Sequence, residues 1–313
     1  MQIPEFQKII ESGLEKQLLS LIPNHSIAKA YTWASLPPGK LFRPLLAAAI
    51  YLNHSEGNTE EFNQLNSNAS KMAAFLELHH SYTLVHDDMP CMDDDDFRRG
   101  KASTHKQFGE WQALLVGDGL LGASWRLVSQ INHPALLSFF KYSTWTLGPK
   151  GLLQGQVLDL SEEMTLSFEN LILTHKLKTA RLIQTALVGG YAISDNPNFK
   201  MAKAYHKLGE ALGVSFQLLD DLTELTEELG EHEQAVNPWL WASIKSTETL
   251  INYLEQVKEL APSDADLLQE VLAHYFGTIR GKVEAHRGSI IAKLSEEQLR
   301  PVESLLKILS HAK

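Results

Sequence analysis

Leu84–Lys101 reads L-V-H-D-D-M-P-C-M-D-D-D-D-F-R-R-G-K, with six aspartates between Asp87 and Asp96 and two arginines directly after them. A run of like charge is usually a solvated loop, but the residues in front of this one are of another kind. Asn66–His86 carries Met72, Phe75, Leu76, Leu78, Leu84 and Val85 with no glycine or proline, and it reads as a buried helix that Pro90 ends. Asp87 and Asp88 therefore fall in its last turn, where the helix dipole disfavours carboxylates. Acids placed there call for a cation. Oxygen ligands without histidine or cysteine among them suit Mg²⁺ better than zinc. Mg²⁺ held by a few carboxylates commonly completes its shell with substrate phosphate, for which Arg98 and Arg99 supply fork-shaped donors.

The same pattern recurs in Phe199–Glu228. Leu208, Leu212, Ser215 and Leu219 form one helical stripe, and Gly213, Gln217, Asp220 and Glu224 form another. F-Q-L-L-D-D at 216–221 again sets paired acids late in an apolar helix. Two such acid pairs on separate helices are expected to face each other across a bundle cavity and share metal ions. Towards the N-terminus, L-P-P-G-K-L-F-R at 36–43 is a turn that places Lys40 and Arg43 at the entry of a helix over Pro44–Asn53. Two cations beside free helix N–H groups make an anion site. His80 shares the helix side of Leu76, Thr83 and Asp87.

The remaining segments are helical too. Ile3–Leu19, Gly109–Ile131, Ala135–Leu147, Leu166–Ala192, Trp239–Leu260, Asp264–Leu294 and Glu296–His311 show helical spacing, with breaks at Pro23, Pro134, Pro262 and Pro301. Gly117, Gly119 and Gly122 allow close helix packing. Leu229–Asn237 reads as a polar loop, and no segment reads as a β-hairpin. The expectation is an all-α chain, and with no Pro/Gly/Ser linker, a single domain over 1–313. The net charge of −10 argues against a nucleic-acid partner, so any bound phosphate must be met by local cations or metal. Cys91 is the single cysteine, which excludes an intrachain disulfide and points to the cytoplasm. The start has no apolar signal region, and the best apolar run, Leu45–Leu52, is too short to span a bilayer.

These motifs resemble the trans-prenyltransferases, the polyprenyl or farnesyl diphosphate synthases. The likeness covers Gly39 to about Pro238. G-K-L-F-R-P at 39–44, the aspartate-rich stretch at 86–101, L-Q-G-Q-V-L-D-L at 153–160, K-T-A at 178–180 and F-Q-L-L-D-D at 216–221 follow the family's order. The two extra residues before Asp93 are similar to the bacterial short-chain type. The resemblance implies an isoprenoid synthase-like bundle of long helices around a deep central cavity, usually a homodimer. It implies condensation of isopentenyl diphosphate with an allylic diphosphate, dimethylallyl or geranyl. By the same resemblance Asp87, Asp88, Asp93 and Asp220 would hold Mg²⁺. Arg98, Lys178, Thr179 and Gln217 would touch the allylic diphosphate, and Lys40, Arg43, His80 and Arg99 the isopentenyl diphosphate. Asp87, Asp88, Arg98, Lys178 and Asp220 would carry the ionisation, in which metal and cations absorb the leaving group's charge. Tyr82 lies five residues before Asp87, about 7 Å deeper along the helix. In this family such an aromatic is similar to a floor that stops the product at C15, farnesyl diphosphate.

The chain departs from the family pattern in three places. Glu224 stands where an aspartate is usual, and Ala180 follows Lys178-Thr179 where a glycine is usual. Thr223–Pro238 holds five glutamates and no lysine or arginine where the family has lysines. A charged hydrogen bond is worth roughly 1.5–3 kcal/mol, so losing one slows ionisation about 10–150-fold. The next cation is Lys245. Two other readings follow: a weak or inactive paralogue that binds diphosphate as a subunit, favoured by the missing lysines, and a class I terpene cyclase, opposed by Lys40, Arg43 and His80.

Overall fold

The structure, a computed structural model, describes residues 2–225 and 231–311, without the side chains of 231–233. It is 76% helical, and among the described residues the only strands are two residues long, so the all-α expectation holds. The chain falls into two compact units, residues 1–140 with 189–197 and residues 141–188 with 198–313.

The first unit is built on α4 (Asn68–Asp87). Ser67 caps it by accepting the Ala69 N–H at 3.1 Å. Residues 72–79 are buried without interruption, which a helix tolerates only when neighbours surround it. Those neighbours are α1 (Ile3–Leu21), α2 (Ala28–Ser35), α3 (Phe42–Asn53) and α6 (Glu110–Ser129). The glycines of α6 divide in role. Gly117 passes against His86 and Gly119 against Tyr31, whereas Gly122 faces open space. Asp87 closes α4 and Asp88 caps it. The chain then turns through a feature not expected from the sequence, an antiparallel pair β1 (Phe97–Arg98) and β2 (Lys101–Ala102). Arg99 and Gly100 have φ of 53° and 76°, the left-handed pair that a tight hairpin needs. Two-residue strands carry no periodicity to detect. A short α5 (Thr104–Phe108) leads into α6.

The second unit is organised on α11 (Phe199–Glu224), which packs against α13 (Pro238–Trp241), α14 (Ser243–Leu260) and α15 (Asp266–Ala285). Trp239 is fully buried and donates its Nε1–H to the Leu218 carbonyl at 2.8 Å. The expected helix over 166–192 is interrupted. α9 (Phe168–Thr174) passes into a π-helical turn, His175–Ala180, before α10 (Arg181–Ala192). α8 (Leu152–Leu160) approaches that turn at Gly155 and α11 at Gly213. A Cβ at Gly155 would meet the Lys178 amide nitrogen at 2.2 Å, and one at Gly213 the Ala180 Cα at 2.3 Å. The unit boundaries fall inside α7 (Leu136–Leu147) and α10.

Four further helix boundaries differ from expectation, one of them at Ala242, which divides Trp239–Leu260 between α13 and α14. Residues 231–236 form a short helix, α12, rather than loop; the rest of that expected loop, before residue 231, lies outside the described residues. His286 divides Asp264–Leu294 into α15 and α16 (Arg287–Lys293). Pro301 breaks nothing: α17 (Glu296–Leu309) runs through it. Its Ser295–Gln298 capping box and buried Leu299, Val302 and Leu306 outweigh the single backbone hydrogen bond that proline removes.

Candidate active site

In the first unit, the C-terminal end of α4, the hairpin and the entry to α3 gather opposite charges. Arg98 donates its Nε–H to Asp88 Oδ1 at 2.7 Å, and its Nη2 lies 2.5 Å from the same oxygen and 2.6 Å from Asp95 Oδ2. The Asp88 side chain is 3% exposed. Burial, foremost, raises its carboxyl above the usual range, and Arg98 pulls it back. Asp87 is half-buried and Asp93 exposed. The Asp93 N–H donates to the Asp87 carbonyl at 2.9 Å, so the loop folds back on the helix end and brings both residues to one place. Carboxylate oxygens alone at these positions fit Mg²⁺. A further group, Asp94, Asp96 and His105, has ligating atoms within 4.8 Å of one another; Lys106 pairs with Asp96 at 2.6 Å, as Arg98 pairs with Asp88.

Deeper in the same unit lies a residue that periodicity did not flag. Glu77, also 3% exposed, accepts from Arg99 Nη2 at 3.4 Å. Burial raises its carboxyl, opposed by Arg99, by Arg43 and by the Gly39 N–H. Glu77 thus ties the hairpin to the entry of α3. The signal in the sequence was an acid inside an otherwise apolar helix. His80 stands one turn on. Burial, followed by the charges of Arg43, Arg99 and Arg98, holds its imidazole well below the ordinary range, so it stays neutral. Lys40 is exposed, and its carbonyl accepts from Gln7 Nε2 at 2.9 Å. Tyr82 is 5% exposed, with its ring against His79 at 4.6 Å and His86 at 5.9 Å. Burial and the Asp87 charge push its phenol up to about 12.

In the second unit, Lys178 and Thr179 sit on the π-helical turn. Lys178 forms an ion pair with Asp159 of α8, another partner that spacing did not reveal. Thr179 Oγ1 donates to Gln217 Oε1 at 3.0 Å, and Gln217 Nε2 donates to Asp221 Oδ1 at 3.0 Å. Asp220 is exposed on the last turns of α11, while Asp221 is turned inward. Asn237 Nδ2 reaches the Asp221 carbonyl at 2.8 Å and Glu224 Oε2 at 3.4 Å. Lys245 pairs with Glu169 at 3.6 Å and lies over the Phe168 ring. The cation at the end of α11 is instead Lys293 of α16, which donates to the Leu225 carbonyl at 2.9 Å. Part of the lysine-free stretch Thr223–Pro238 lies outside the described residues.

Comparison with known proteins agrees with these motifs. The family model described as polyprenyl synthetase matches residues 24–237. The farnesyl diphosphate synthase of Bacillus subtilis is 32% identical over 225 residues, 70% of this chain and 73% of that one. The chloroplastic geranylgeranyl pyrophosphate synthase of Capsicum annuum is 30% identical over 258 residues, 80% of this chain and 67% of that one. Among solved structures, the geranyltransferase of Legionella pneumophila matches with a TM-score of 0.74 at 26% identity, covering 91% of this chain and 96% of that one. The geranyltransferase of Helicobacter pylori, complexed with magnesium and isoprenyl diphosphate, matches with a TM-score of 0.73 at 28% identity, covering 88% and 96%. No helix among the described residues is long and apolar enough to cross a membrane. With the family model spanning more than half of its length, the chain belongs to the polyprenyl synthetase family.

Proposed function

We propose that the protein catalyses the Mg²⁺-dependent head-to-tail condensation of isopentenyl diphosphate with dimethylallyl or geranyl diphosphate, ending at farnesyl diphosphate. The observation that carries this reading is the gathering of Arg98 on Asp88 and Arg99 on Glu77 at the end of α4, with the half-buried His80 one turn from Glu77. Asp88, Asp95 and Glu77 balance these guanidinium groups within the protein, and a diphosphate offers the same fork-shaped donors a stronger acceptor. A terpene cyclase has no second diphosphate to place there. The reading as an inactive paralogue rested on the missing lysines, and none of the relatives described above is named as a non-catalytic subunit.

In this reading Asp87, Asp88, Asp93 and Asp220 hold Mg²⁺, which when bound draws negative charge from the departing diphosphate. Arg98, Lys178, Thr179 and Gln217 bind the allylic diphosphate, and Lys40, Arg43, His80 and Arg99 orient the isopentenyl diphosphate. The allylic C–O bond breaks and its electron pair leaves with the diphosphate. The alkene of isopentenyl diphosphate attacks the resulting cation, and the departing diphosphate takes the proton then lost. Asp88 and Asp159 pair with Arg98 and Lys178, and a diphosphate would compete for those cations. The single domain, a homodimer and a cytoplasmic location belong to the same proposal. The exposed apolar side chains of Trp111, Leu114 and Leu115 on α6 support self-association, and a monomer mass in sedimentation equilibrium would remove it.

The test is a product assay. Purified protein with Mg²⁺, isopentenyl diphosphate and geranyl diphosphate should yield a C15 diphosphate, and chelation of the metal should abolish it. No elongation at high enzyme concentration would reject the reading; a hydrocarbon product would indicate a cyclase. Tyr82→Ala is expected to shift the main product from C15 to C20 or longer, because it removes a buried aromatic from the helix below the acid pair. An unchanged product distribution by chromatography would remove Tyr82 from that role.

A further inference from the structure

The second unit contains a buried pair that the proposed chemistry leaves unused. His175 opens the π-helical turn that carries Lys178 and Thr179, a kind of turn that often marks functional sites. Its Nε2 faces Asp221 Oδ2 at 3.4 Å, and the two side chains are 6% and 9% exposed. Neither of these two atoms has a hydrogen-bond partner. Burying polar atoms in this way is costly, so the pair is expected to serve a purpose other than stability. The other oxygen of Asp221 accepts from Gln217 Nε2 at 3.0 Å, and Gln217 Oε1 accepts from Thr179 Oγ1 at 3.0 Å. His175 therefore ends a chain of contacts that runs through Asp221 and Gln217 to Thr179.

Held between these two partners, Gln217 turns its NH₂ towards the Asp221 carboxylate and its carbonyl towards the threonine. One N–H of Gln217 is then left to donate to an anion. The opposite amide orientation would present Oε1 to that anion and repel it. Asp220, the preceding residue, is exposed, so the two adjacent acids have separate surroundings, one open to solvent and one turned to the protein interior.

We propose that His175 and Asp221 are positioning residues for the allylic diphosphate, setting the amide orientation of Gln217 and through it the hydroxyl of Thr179, and that Asp221 is not a metal ligand. This rests on the reading of Gln217 and Thr179 as diphosphate contacts. Asp221→Asn offers Gln217 either a donor or an acceptor and so frees the amide to reverse. The KM for geranyl diphosphate should rise about 10-fold, with the KM for isopentenyl diphosphate and the Mg²⁺ requirement both within about twofold of wild type. His175→Gln should act in the same direction by about threefold, and it serves as the second variant if Asp221→Asn folds poorly. On a Gln217→Ala background, Asp221→Asn should add less than about twofold, because the amide it controls is gone.

An equal rise in both KM values, a raised Mg²⁺ requirement, or full additivity with Gln217→Ala would overturn the inference. Wild type that elongates while Asp221→Asn and His175→Gln do not differ from it sinks this inference alone. Wild type that does not elongate sinks the functional reading. Calorimetry with inorganic pyrophosphate and Mg²⁺ then decides the positioning role, with binding about 10-fold weaker in Asp221→Asn expected and equal binding overturning it.

Discussion

Asp87→Ala is expected to lower kcat/KM for elongation by about 10³-fold while leaving the fold intact. The carboxylate is half-buried at the last residue of α4, beside Asp93, which folds back onto it. Removing one group that stabilises charge developing on a leaving group costs about 10²–10³ in rate, and a metal ligand acts on the whole of that charge. Stability responds differently. The variant relieves a carboxylate at the negative end of a helix dipole, worth about 0.3–1 kcal/mol, and loses an attraction to Arg98 of similar size. These effects oppose each other, so the metal-free melting temperature should move by no more than a few degrees. Mg²⁺ with pyrophosphate should raise that temperature in wild type and much less in Asp87→Ala, since a ligand stabilises only the state that binds it. Activity retained within about 10-fold would mean that Asp87 is not a metal ligand.

Arg98→Ala is expected to give the largest loss of stability, and that loss should depend on pH. Its partner Asp88 is 3% exposed, while the Arg98 side chain is 35% exposed. Removing one member of a fully buried pair costs about 3–5 kcal/mol. Solvent screening at the exposed guanidinium reduces this to about 2–3 kcal/mol. The sign follows from the Asp88 carboxyl, which burial already raises above the usual range. A carboxyl with a raised folded-state pKa favours the folded protein when protonated. That contribution is complete below the unfolded value near 4 and fades as the pH rises through the folded value. Without Arg98 the folded value rises further. The variant should therefore lose most stability at pH 8 and recover part of it towards pH 5, as denaturant midpoints would record. A loss independent of pH would show that Arg98 acts by packing alone.

The readings that succeeded from sequence were local ones. Met72 to Val85 announced a buried helix, Pro90 its end, and the acids in its last turn a need for cations. The spacing of Gln217, Asp220 and Glu224 placed them on one helix, and the observed α11 ends at Glu224. What escaped were features with no period or with a partner far along the chain. The hairpin at Arg99–Gly100 is too short to show alternation. The π-helical turn is a single-residue adjustment of register inside a helical pattern. Pro301 looked like a stop because a proline reads locally as one, while the cap and apolar face that carry α17 past it are distributed over the helix. Lys293 stands where no motif reaches, 68 residues from the carbonyl it caps.

The order of residues along the chain was enough to determine the helical class, the family, the two acid-rich helix ends and the side chains that present charge. Tertiary structure alone decided which of those charges meet: Arg98 with Asp88, Arg99 with Glu77, Lys178 with Asp159, His175 with Asp221. Helical periodicity is a property of neighbours three and four residues apart, fixed by backbone geometry. The pairing of charges tens of residues apart depends on how buried surfaces pack, and it is burial, by removing water from one partner, that turns proximity into a constraint.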